Sequence, residues 1–201
     1  MGRYLGPICR LCRREGMKLC DKHKCASVRR PYPPGMHGQA RKGKQSDYSK
    51  QLREKQKARR IFGISEKQMV RYYKVATHSA EQSGLKLIEQ MERRLDNAVF
   101  RSGLAQTRRQ ARQMVAHGTF TLNGHRVTIP SIQVKDGDTF TVREKNKGMP
   151  VFQNLDKRKP SVPKWLSTDT NALTGKVVGK PEKEDLEQAI QSSFIIEFYS
   201  R

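Results

Sequence analysis

The chain has 201 residues, 35% of them hydrophobic, and carries 41 Lys and Arg against 19 Asp and Glu, for a net charge of +22 and a pI near 10.3. That length and apolar content allow one medium or two small folded units and exclude a long disordered tail, while so large a charge repels itself unless a polyanion neutralises it. Nucleic acid is therefore the partner to expect first, with an acidic membrane surface the weaker alternative; no run of about 18 apolar residues could span a bilayer, and MGRYLGPICR lacks the apolar stretch of a signal peptide.

The charge is unevenly placed. Residues 1–60 hold 18 Lys and Arg against 4 acidic residues, residues 61–92 are balanced at 4 against 4, and residues 181–201 are acidic. A block that lopsided points to contact with a polyanion rather than to a merely solvated face.

All four cysteines lie in CRLCRREGMKLCDKHKC, residues 9–25. Cys9, Cys12, Cys20 and Cys25 make C-x2-C, seven intervening residues, then C-x4-C, two short-spaced pairs that can place four sulfurs tetrahedrally around one zinc ion. Two disulfides are the alternative, but a bridge across C-x2-C is strained and an unexported chain lives among reducing thiols. His23 competes with Cys20 as a ligand. Arg10, Arg13, Arg14, Lys18, Lys22 and Lys24 are expected to favour thiolate, and the segment has too few apolar residues to fold on its own. The cysteines are thus predicted to clip a basic surface into shape.

Residues 29–48, RRPYPPGMHGQARKGKQSDY, read as an extended arm, because Pro31, Pro33 and Pro34 oppose helix and Gly35, Gly38 and Gly43 let backbone approach a ligand. Tyr32 and His37 can stack on bases, and Arg29, Arg30, Arg41, Lys42 and Lys44 can meet phosphates. Helical spacing begins at Ser46, with Leu52, Ala58, Ile61 and Phe62 as a thin apolar stripe among Arg53, Lys55, Lys57, Arg59 and Arg60. Ser65 and Gln68 fit a capping box for a second helix carrying Met69, Tyr72, Tyr73 and Ala76. A third helix is predicted after Gly84, with Leu87, Ile88, Met91, Leu95 and Val99 on one face.

In residues 93–127, Thr107 and Gln110 fit another capping box, predicting a helix over Arg108–His117 that stops at Gly118. Ala111, Met114 and Val115 face inward; Arg108, Arg109, Arg112 and Gln113 fall on the other side, where they could fork onto phosphates. TFTLNGHRVTIP alternates around Asn123-Gly124, the strongest short hairpin signal, and VKDGDTFTV adds strands around the turn at 135–138. Residues 146–183, with Trp165 and a basic cluster at Lys157, Arg158 and Lys159, read as an irregular connection. From Glu184 the chain turns acidic and then apolar, and Ala189, Ile190, Phe194, Ile195, Phe198 and Tyr199 predict a terminal helix that returns to the first helices.

The run from Arg93 to Val142 resembles the RNA-binding module named after small-subunit ribosomal protein four. MGRYLGPICRLCRREG, RRPYPPGMHG, LREKQKARRIFGISEKQ, RRLDNAVFRSGLAQTRRQARQMVAHG and FIIEFYSR extend the resemblance to the bacterial form of that family over nearly the whole chain. The seven-residue span between cysteine pairs is shorter than cysteine-bearing members of the family usually have. The resemblance implies a primary binder of small-subunit ribosomal RNA, at a multi-helix junction of the 5′ domain, that acts early in subunit assembly. It also implies contact with the third and fifth small-subunit proteins near the mRNA entrance, and an influence on decoding accuracy exerted with the fifth.

The expected architecture is α+β. A basic zinc-clipped arm (1–45) precedes a discontinuous helical domain (46–92 with 184–201), into which a helix-plus-antiparallel-sheet module (93–145) is inserted. The candidate RNA-contacting residues are Arg3, Tyr4, Arg13, Arg14, Arg29, Arg30, Tyr32, His37, Gly38, Arg41, Lys42, Tyr48, Arg53, Lys55, Lys57, Arg59, Arg60, Arg94, Asn97, Arg101, Arg108, Arg109, Arg112, Gln113 and His117. Similar modules are appended to pseudouridine synthases, but no second catalytic domain, phosphate-cradling glycine loop or G-x-S-x-G is present, and no membrane or small-molecule substrate is expected. A zinc-dependent DNA-binding regulator is the competing class, separable by preference for A-form or junction RNA.

Overall fold

A computed structural model of the chain describes residues 4–20, 22, 24–40, 43–79, 82–153, 155 and 162–201. It divides into two compact units, Met1–Leu87 with Gln188–Arg201, and Ile88–Glu187. Arg3, His23, Arg41, Lys42 and the basic cluster at 157–159 lie outside the described residues.

The first unit opens with two short helices, α1 (Ile8–Glu15) and α2 (Ala26–Arg29), so the stretch read as clip and arm has helical pieces of its own. Gly16, left-handed at φ 70°, ends α1 and turns the chain back within the short span between the cysteine pairs. Helices α3 (Asp47–Phe62) and α4 (Glu66–Thr77) start where the sequence places them: Ser46 Oγ accepts from Ser49 N–H at 3.3 Å and Ser65 Oγ from Gln68 N–H at 3.4 Å. Ala58, Phe62, Met69, Tyr72 and Ala76 are buried, together with Ile195 from α8 (Ser192–Tyr199).

The terminal helix forms only from Ser192, later than expected; upstream, the Asp185 carboxylate accepts Glu182 N–H at 3.3 Å in a turn. Gln51 of α3 donates through Nε2 to Glu197 at 2.8 Å, and the Tyr199 hydroxyl donates to Glu66 of α4 at 2.5 Å. Burial, then the bond to Glu66, lifts the Tyr199 phenol well above its usual range.

The single helix expected from Leu87 to Val99 is two. Helix α5 (Ser83–Glu92) stops, Arg94 adopts extended backbone at φ −68°, ψ 139°, and α6 (Leu95–Arg101) begins. Two backbone hydrogen bonds replace the helical continuation, Leu95 N–H to Ile132 O at 2.8 Å and Val134 N–H to Arg93 O at 2.9 Å, and Asn97 Nδ2 covers the Glu92 carbonyl at 2.9 Å. Periodicity cannot show this, because Leu95 and Val99 keep helical spacing across the break.

In the second unit α6 packs on α7 (Arg108–Ala116), and an antiparallel sheet follows with strand order β2-β1-β3-β5-β4. Strands β1 (Phe120–Leu122) and β2 (His125–Arg126) form the hairpin expected at Asn123-Gly124, whose φ values of 49° and 83° fit a type I′ turn. Strand β3 (Thr139–Val142) pairs with β1, Phe120 opposite Val142, whereas residues before the 135–138 turn give only the bridge between Arg94 and Gln133.

Residues 146–183 are not merely an irregular connection. They supply β4 (Leu166–Asp169) and β5 (Thr174–Val177), and Trp165, Leu166, Leu173 and Val177 join the core of this unit with Phe120, Phe140 and Val142. The strands are four residues each, too short for alternation to stand out, and their register depends on β3. At Gly175 an added Cβ would lie 2.3 Å from the buried Phe140 ring. Gly175→Ala is therefore expected to destabilise this unit by about 1–3 kcal/mol in a denaturant melt.

Candidate nucleic-acid interface and metal centre

The cysteines come together. The sulfurs of Cys9, Cys20 and Cys25 lie within 4.8 Å of one another. Cys12 is fully buried in the same cluster as Cys20 and Cys25. All four are free thiols. Leu19 N–H donates to Cys12 Sγ at 3.3 Å and Ser27 Oγ to Cys25 Sγ at 3.2 Å, contacts that orient the sulfurs from outside the cluster. Sulfurs about 2.3 Å from a tetrahedral ion stand about 3.8 Å apart, so the sulfurs of Cys9, Cys20 and Cys25 lie near the spacing of a tetrahedral site, with Cys12 in the same buried cluster.

Charge at the thiols departs from the sequence expectation that nearby cations lower them all. Burial pushes Cys12 up and Cys20 up to about 12. Burial also acts upward on Cys25, but bonds from the Ser27 hydroxyl and backbone, then from Cys20 and Cys12, pull it down to about 6. One thiolate is ready and at least two protons must leave when a metal enters.

Beside this cluster, Arg13 braces the arm. Its guanidinium lies 4.7 Å over the Tyr32 ring and donates to the carbonyls of Tyr32 at 3.0 Å and Pro33 at 3.2 Å. Glu15, its side chain 2% exposed, pairs with Arg60 and with Arg53. Lys57 pairs with Glu54 and Arg59 with Glu66. Arg14, Arg29, Arg30 and His37 are exposed, as are Tyr4 and Tyr48; the Tyr4 hydroxyl donates to Pro7 O at 3.4 Å, and Tyr48 stacks 5.7 Å from Phe198.

Three candidates are corrected outright. Lys55 is buried, 3.0 Å from Glu66 and 4.4 Å over the Phe198 ring, so it serves the helix packing and does not face a ligand. Arg94, 2% exposed, forks onto Asp96 at 2.9 and 2.7 Å. Asn97, equally buried, donates to Glu92 and accepts from Arg108 Nε at 2.9 Å. In each case the polar group found an internal partner because its backbone position faces the core.

The same logic divides helix α7. Arg108 donates to Glu187 at 2.6 Å and stacks 4.7 Å over Phe100, Arg112 reaches Asp96 at 3.8 Å, and Arg101 forks onto Glu92. Burial opposes charge on Arg101, but the Glu92 bonds outweigh it and hold the guanidinium above its ordinary range. These arginines line an acidic seam. Gln113 and His117, by contrast, are exposed on the outer side of the helix, one turn and two turns beyond Arg109.

Arg126, exposed on β2, was not singled out from sequence. A Cβ at Gly118 would sit 2.6 Å from its Nε, so that glycine lets the guanidinium lie against the end of α7. Its only sequence signal was a basic residue two positions after Asn-Gly. The seam acids Glu92, Asp96 and Glu187 were also missed; Glu187 lay within the acidic tail, and the other two carried no signal beyond their helical setting.

Residues 3–92 match the family model described as ribosomal protein S4/S9 N-terminal domain, and residues 93–140 match the S4 domain. Small ribosomal subunit protein uS4 of Desulfitobacterium hafniense is 49% identical over 211 residues, and that of Thermus thermophilus 49% over 209, each covering 100% of both chains. The chain belongs to the uS4 family. The uS4 protein of Clostridioides difficile is likewise 49% identical over 208 residues and the full length of both chains. The boundary between the two uS4 family models, at residue 92/93, falls at the break between α5 and α6.

Proposed function

We propose that the chain is a structural constituent of the small ribosomal subunit that binds ribosomal RNA, works on the ribosome in the cytoplasm and catalyses no reaction. Full-length similarity to uS4 proteins carries this reading, and the exposed cations of the arm with the outer face of α7 give it chemistry. Phosphate contacts set the affinity, and the shape of a multi-helix junction in the 5′ domain sets the specificity. The third and fifth small-subunit proteins are the proposed neighbours, with mRNA passing nearby. Cys9, Cys12, Cys20 and Cys25 would hold one zinc ion, whose role is to fix the fold of the arm.

On α7 the RNA-facing residues are Arg109, Gln113 and His117, joined by Arg126; Arg108 and Arg112 act as scaffold. Arg109→Ala with Arg126→Ala is expected to weaken binding to the junction and flatten the salt slope by about 0.7–0.9 per lost phosphate contact. Arg108→Ala is expected to lower the melting temperature. A salt titration of the metal-quantified protein against the junction and against duplex DNA tests the reading. Equal, steeply salt-sensitive binding to both would reduce the protein to a generic polycation.

A further inference from the structure

The first unit contains an open cleft of about 420 Å³, walled by Arg14 at the end of α1, by the turn from Pro33 to Gly38, and by Ser49 and Arg53 of α3. A second hollow of about 310 Å³ shares Arg14, Gln45 and Arg53 with it and is lined further by Lys50, Glu15 and Glu54. Its size falls at the lower end of the range of about 300–1,000 Å³ typical of small-ligand sites.

The turn is built to keep its shape. Arg13 holds it through the carbonyls of Tyr32 and Pro33, Gly35 has φ 113°, and Gly38 N–H donates to Gly35 O at 3.2 Å. An added Cβ at Gly38 would stand 2.0 Å from the Pro33 carbonyl, so only glycine permits this closure. One wall is apolar, with Pro33, Pro34 and Met36, the last 92% exposed. Arg14 and Arg53 bring guanidiniums to the same cleft, the second paired with Glu15. An apolar patch beside two guanidiniums matches a flat heteroaromatic ring joined to a phosphate.

We propose that this cleft receives one unstacked nucleotide of RNA, its base against Pro33, Pro34 and Met36 and its phosphate at Arg14 and Arg53. The proposal rests on the RNA-binding reading above and adds to it a place where single-stranded RNA is gripped. Such a grip favours junctions, which offer unpaired bases, over continuous helices.

The test uses the full, metal-loaded chain with p-azidophenylalanine in place of Met36, photocrosslinked to the 5′-domain junction RNA and mapped by reverse-transcription stops. The expected result is one dominant stop at an unpaired nucleotide, together with about a tenfold loss of junction affinity in Gly38→Val at unchanged metal content. Stops spread over paired strands, or Gly38→Val binding as tightly as the unaltered protein, would overturn the cleft and leave RNA binding standing. Failure of the unaltered protein to bind the junction would overturn both.

Discussion

Cys20→Ser, or removal of the metal by a chelator, is expected to unfold the N-terminal clip while residues 88–187 keep their structure. Its apolar packing is slight: Ile8, Cys9 and Leu19 are the partly buried apolar residues packed against the three buried cysteines, a cluster far too small to fold alone, and Arg13 and Glu15 add only polar ties to the arm and to α3. In small zinc-dependent domains the apparent binding energy, about 10–16 kcal/mol at neutral pH, is folding energy. Zinc stoichiometry together with hydrogen exchange across α1 and α2 gives the readout. A metal-free protein whose α1 amides exchange as slowly as before would refute it.

The direction with pH follows from the thiols. Cys12 and Cys20, raised by burial, must each release a proton on binding, whereas Cys25 is already ionised above about pH 6. Metal affinity should therefore rise with pH between 6.5 and 8, and fall more steeply below pH 6 as Cys25 protonates too. Competition titrations with a chromophoric chelator at those pH values measure it.

The second large effect lies in the acidic seam. Asp96→Ala is expected to destabilise the second unit by about 3–5 kcal/mol, because it takes the forked carboxylate from an arginine that stays buried at 2% exposure. For a unit of this size that lowers the melting temperature by at least about 10 °C. Replacing both partners, Arg94→Met with Asp96→Leu, should recover part of the loss, since it removes the buried guanidinium together with its forked carboxylate, while Arg112 still loses its contact with Asp96. Equal losses in the single and double variants would show that the pair stabilises by itself.

The contrast between these two sites shows how each could be read. The cysteine set was legible because metal ligation needs particular atoms at short spacing. Buried Glu92 and Asp96 were not, because a carboxylate in a helix reads as solvated until its neighbours are placed. Arg94, Arg108, Arg109 and Arg112 look equivalent as cations in a basic chain. Only the seam on one side of α6 and α7 distinguishes scaffold from surface.

The thiol cluster, the helix onset at Ser46, the caps at Ser65 and Thr107, the Asn123-Gly124 hairpin and the RNA-binding class of the chain are all legible in the sequence, since they depend on side chains within a few residues or on net charge. Tertiary structure decided the break at Arg94, the two added strands of residues 146–183, the buried state of Lys55, Arg94 and Asn97, and the cleft beside Gly38. Each of these turns on a hydrogen bond, ion pair or close approach between residues far apart in the chain, whose free energy outweighs local preference only once the fold has brought them together.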